Sequence, residues 1–129
     1  MDPALHLKMG RAQAPLRNDG ILILGSGYTF HNMSAFMSPS AATVQGAHDF
    51  NEWLKSTVLG PSVLRDLKQW KKAPGATIAH PREEHLIPLF VVAGAADGAK
   101  AKITFDNGSH NVCTEQSEHA VTSFIFESH

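Results

Sequence analysis

Eight histidines in 129 residues are the first chemical signal in this chain. Imidazole is the commonest metal ligand and the side chain whose ordinary titration lies nearest neutrality. Two of the eight stand where chemistry would use them. His31 follows "GILILGSGYTF", in which residues 21–24 are an unbroken apolar run and Gly25, Ser26 and Gly27 form a turn. Such a run predicts a strand buried on both faces. The glycines permit a sharp turn or a close backbone approach, and ligands of open α/β sheets bind beyond the carboxyl ends of strands. His85 lies in "AHPREEHLIPL", at the edge of an apolar segment. Glu84 beside it would diverge by about 100° on a helix, so one of the two can point inward. His80 and His85 are five apart and would not share a helix face, which argues against a common metal on a regular helix. His48 reads as a loop residue, and His110, His119 and His129 as surface imidazoles.

Other chemistries find little support. The stretch "GSGYTFHN" lacks the third glycine and the downstream acid of a dinucleotide fingerprint. Ser26 has no G-x-S-x-G elbow around it. Cys113, with His110 and His119 nearby in sequence, is a weak thiolate candidate. No CxxC, CxxH or HExxH spacing signals a structural zinc site.

These residues need a scaffold, and the bulk composition suits one. A hydrophobic fraction of 43% and a charged fraction of 18% fit a globular chain of one domain. Eleven basic against twelve acidic residues leave a net charge of −1. That balance gives no electrostatic footprint for nucleic acid or an anionic membrane. The apolar runs fall short of the ~20 residues that span a bilayer. The single cysteine and the absence of a signal-peptide pattern point to the cytoplasm.

Along the chain, residues 2–17 predict a helix, with Asp2 as N-cap, Pro3 at its start and Leu5, Met9, Ala12 and Leu16 as its inward stripe. Residues 31–38, "HNMSAFMS", suggest a short helix, and 39–48 a loop of small residues. "DFNEWLKSTVL" predicts a second amphipathic helix capped through Asp49 and Glu52, with Phe50, Trp53, Leu54 and Val58 inward. "PSVLRDLKQWKK" predicts a third, with Leu64, Leu67 and Trp70 inward, and "APGA" breaks it. In "HPREEHLIPLFVVAGAADG", "LFVVAG" alone could be a buried strand. Pro81 near the start, two glutamates in the first turn and small residues at the end instead fit a helix buried nearly all round, in which Pro88 cannot donate to the Glu84 carbonyl. Residues 101–108 and 120–128 predict two strands.

Taken in order, "APLRNDGILILGSGYTFHNM", "DFNEWL", "APGA" and "AHPREEHLIPLFVVAGAA" closely resemble the C-terminal half of class III extradiol ring-cleavage dioxygenases, in the branch similar to 4,5-DOPA dioxygenase. The resemblance covers about residues 2–105. It implies an α/β fold with a central mixed sheet flanked by helices, and non-haem ferrous iron, sometimes replaced by zinc. It further implies His31 as the acid/base residue, His85 as a metal ligand with Glu84 taking that role in other branches, and Gly25, Ser26, Gly27 and Asn32 beside the substrate. The partners implied are a catechol-type aromatic, DOPA-like, and dioxygen.

The family's other two metal ligands come from an N-terminal half with no counterpart here. A single incomplete domain is therefore expected, inactive alone, and seeking self-association or a complementary N-terminal half. Leu22, Leu24, Ile87, Phe90 and Val91 would then form an exposed apolar patch. A non-catalytic binding module or remnant of the same fold is the alternative.

Overall fold

The computed structural model describes residues 1–107 and 120–127. Helix α1, Pro3–Gln13, starts where the side chain of Asp2 accepts a hydrogen bond from the Ala4 amide. It tightens into a 3₁₀ turn, Ala14–Asp19, which Gly20 ends in the left-handed region at φ 75°. Helix α6, Ile87–Ala95, crosses α1, and the two form the most extensive helix pair of the fold. Their backbones meet through glycines. A Cβ on Gly10 would lie 1.9 Å from the Val91 carbonyl oxygen, and one on Gly94 would lie 2.2 Å from that of Leu7.

This crossing overturns the stripe expected on α1. Leu7 and Gly10 face inward, whereas Leu5, Met9, Ala12 and Leu16 face outward. Apolar periodicity marks a face that can be buried, but close approach selected the face bearing glycine. In α6, Pro88 falls in the first turn, where no amide donor is required, so neither a kink nor a lost hydrogen bond follows. The Arg17 guanidinium closes the other end, donating to the Ala95 and Ala96 carbonyls and to those of Phe126 and Glu127.

Helix α2 is Met33–Met37, and α3 runs over Ala41–Leu59. Residues 41–48, expected as loop, are therefore helical, and His48 with them. Ser40 and Thr43 form a reciprocal capping box, which starts the helix well before Asp49. Gly46 makes the early turns close-packed: a Cβ there would meet the Ile78 side chain at 2.5 Å. Phe50, Leu54 and Val58 face the core as predicted, with Trp53 half-buried. The third predicted helix is divided into α4, Val63–Leu67, and a 3₁₀ turn, Trp70–Lys72. A short α5, Ala76–Ala79, follows Gly75.

Strands β1, Ala101–Asp106, and β2, Thr122–Phe126, pair antiparallel, with an irregularity between Ile103 and Phe105. Helices and strands combine in an α/β fold, yet the sheet among the described residues is this two-stranded ribbon. Residues 21–24 are not a strand. They form a strap in which Leu22 and Leu24 are 81% and 82% exposed. Among the described residues, nothing hydrogen-bonds the backbone of residues 22–27. An apolar run becomes a ladder only against a partner strand, and here the described chain supplies none. Of the expected patch, Phe90 is fully buried, Ile87 and Val91 are half-buried, and only the two strap leucines stand in solvent. Cys113, His110, His119 and His129 lie outside the described residues.

Candidate functional site

The strap crosses α6 and then enters a clamp. The Tyr28 amide donates to the His85 carbonyl (2.8 Å), and the His31 amide donates to the Ala79 carbonyl (2.8 Å). Between them the Thr29 carbonyl accepts from His80 Nε2 (3.0 Å), and Thr29 Oγ1 accepts from the Thr122 amide (2.9 Å). Asn32 ends the segment: its Oδ1 caps α2 at the Ala35 amide, and its Nδ2 donates to the Ile78 carbonyl (2.8 Å). Three segments distant in sequence, the end of α5 with His80, the turn at His85 and β2, thus fix residues 28–32.

The clamp brings His31 and His85 together. Their rings stack with centroids 3.5 Å apart and planes 15° from parallel. His85 is exposed and lines a groove of about 990 Å³ together with the strap, α6 and β2; His31 meets it through the stack. Gly25 and Gly27 also border this groove, but their freedom from a side chain serves packing on α6. A Cβ at Gly25 would sit 2.6 Å from Val92 Cγ2, and one at Gly27 would sit 2.3 Å from the His85 carbonyl oxygen. Ser26 is exposed, and Glu84 points to solvent in an ion pair with Arg82 (2.7 Å). His6 bonds the Asp2 carbonyl (2.8 Å) on α1, apart from the pair.

Sequence reasoning missed the part played by His80. It is 2% exposed, with its ring edge-on to Phe50 and Trp70. Burial is the main cause that brings it down to about 4; proximity to His31 and His85 adds to this, and the bond to Thr29 opposes it. It therefore stays neutral near pH 7. The available signal was Pro81, which holds the residue before it extended and ends α5 there.

Ferrous iron in oxygen chemistry needs three protein ligands and open positions. Among the described residues, no three His, Cys, Asp or Glu side chains stand together as a metal site. The near-parallel rings of His31 and His85 also keep their in-plane lone pairs in two separate, nearly parallel planes rather than converging on one point. The described residues alone do not fit a resident iron or zinc ion. Among them, too, no helix is long and apolar enough to cross a membrane.

No family model matches the chain. It is 36% identical over 104 residues to a 4,5-DOPA dioxygenase extradiol of Beta vulgaris, covering 80% of this chain and 39% of that protein. It is 38% identical over 108 residues to a dioxygenase of Hapsidospora irregularis, and 35% over 98 residues to the 4,5-DOPA dioxygenase extradiol of Escherichia coli K12. A crystal structure of an uncharacterized protein from Escherichia coli K12 superposes with a TM-score of 0.76 at 29% identity, covering 96% of this chain and 50% of that one. The chain thus spans between a third and two fifths of the curated relatives it matches and half of the solved structure. By sequence, it belongs with the extradiol ring-cleavage dioxygenases similar to 4,5-DOPA dioxygenase, of which it matches one part.

Proposed function

We propose that this chain carries one half of an extradiol dioxygenase site that opens a catechol-type, DOPA-like aromatic ring with dioxygen. The observation that supports the reading is the His31–His85 stack at the groove, assembled from segments 54 residues apart in sequence. In this reading His31 accepts a hydroxyl proton from the catechol and returns it as the ring opens, as a general base and then a general acid. His85 is the residue assigned to a ferrous or zinc ion, whose remaining ligands come from outside the described residues; Glu84 is the alternative. Gly25, Ser26, Gly27 and Asn32 border the substrate. A complementary N-terminal half is the proposed partner, laid against the strap where Leu22 and Leu24 are uncovered. The cytoplasm is the proposed location. A second reading is a non-catalytic binding module of the same fold, consistent with the finding that no three metal-ligating side chains cluster among the described residues.

The test is complementation. The purified chain, given ferrous iron, oxygen and DOPA, should form no yellow ring-opened product. Adding the separately expressed N-terminal half of a relative should restore it, and His31→Ala should abolish it again. A complementing half that binds the chain without restoring turnover would support the binding module. Turnover by the chain alone would overturn the half-site reading.

A further inference from the structure

His80 takes no part in the stack, yet it sits behind it with an unusual set of partners. A carbonyl oxygen only accepts, so the 3.0 Å contact with Thr29 requires the proton on His80 Nε2. The other nitrogen, Nδ1, is then a buried acceptor with no hydrogen-bond partner among the described residues. Phe50, 5.3 Å away, and Trp70, 6.0 Å away, would accommodate an apolar ring as readily. If His80 served packing alone, a phenylalanine would fill the space without burying an unsatisfied nitrogen. What an apolar residue cannot do is hold the Thr29 carbonyl. That carbonyl lies midway between the Tyr28 amide, bonded to His85, and the His31 amide, bonded to Ala79 next to His80. We propose that His80 is a positioning residue: its Nε2–H, bonded to the Thr29 carbonyl, sets the register of residues 28–31 and thereby the stacking of His31 on His85.

The functional meaning of this role rests on the half-site reading, but its test reads geometry and needs no turnover. Imidazole nitrogen NMR on the full chain should show His80 protonated at Nε2 and bare at Nδ1 near pH 7. Nuclear Overhauser effects should connect the ring protons of His31 and His85. His80→Gln keeps an N–H donor and should retain those effects. His80→Phe keeps the volume without the donor and should lose them while the helical circular dichroism persists. A folded His80→Phe that keeps the effects, or a folded His80→Gln that loses them, overturns the role. Should either variant fail to fold, the wild-type tautomer decides: a proton on Nδ1 excludes the bond and overturns the proposal, and one on Nε2 upholds it. Failed complementation by the wild-type chain, with the stack and its response to His80 intact, would count against the dioxygenase reading alone.

Discussion

Acidification from pH 7.5 to pH 5 should cost the folded chain about 2 kcal/mol through His80 alone. The group titrates at about 4 in the fold against 6.5 unfolded, because burial disfavours the imidazolium. As the pH falls through 6.5 the unfolded chain takes up a proton that the native chain refuses, so stability drops. It goes on dropping until the folded value is reached, for a full loss of about 3 kcal/mol at roughly 1.4 kcal/mol per unit. The charged groups that reach His80 are the imidazoles of His31 and His85, both of which oppose its protonation. Urea melts at closely spaced pH values measure the slope directly. His80→Gln removes the titrating group and should flatten the curve between pH 7.5 and 5 relative to wild type. The window stops at pH 5 because Glu83, held low mainly by the N-terminal ammonium, adds its own loss further down. Equal slopes in wild type and variant would refute the argument, since they would mean that His80 is hydrated in the native state.

Gly10→Ala should destabilise the chain by about 1–3 kcal/mol in a thermal melt, because the added carbon meets a helix carbonyl that no rotamer change can move. An unchanged melting temperature would show that the α1–α6 crossing is looser than described. Lys55→Met should cost about 3 kcal/mol: the ammonium lies 2.8 Å from Asp106 and is nearly buried with it, and Lys55→Met with Asp106→Leu should recover part of the loss. A single variant as stable as wild type would refute the pairing. Leu22→Ser with Leu24→Ser should leave the melt within about 0.5 kcal/mol while reducing self-association seen by sedimentation. A large drop in stability would mean that the strap is covered.

Local chemistry was legible in the sequence where it acts over a few residues. Asp2 and Pro3 start α1, Phe50, Leu54 and Val58 face the core, and Gly75 breaks the chain before α5, all through interactions confined to a turn or two. The ordered motifs around His31 and His85 likewise carried the kinship. Three things lay beyond that range. The stripe of Leu5, Met9 and Leu16 has the periodicity of a buried face, but contact between Gly10 and the backbone of α6 turned the other side inward. The run at residues 21–24 has the composition of a buried strand, but pairing belongs to two segments, and the described chain holds only one of them. His80 resembled any histidine before a proline until folding carried Thr29 to its Nε2, because a bond across 51 residues has no local signature. Which residues could do chemistry was written in the sequence, whereas the stacking of His31 on His85 was decided by tertiary contacts to Ala79, His80 and His85.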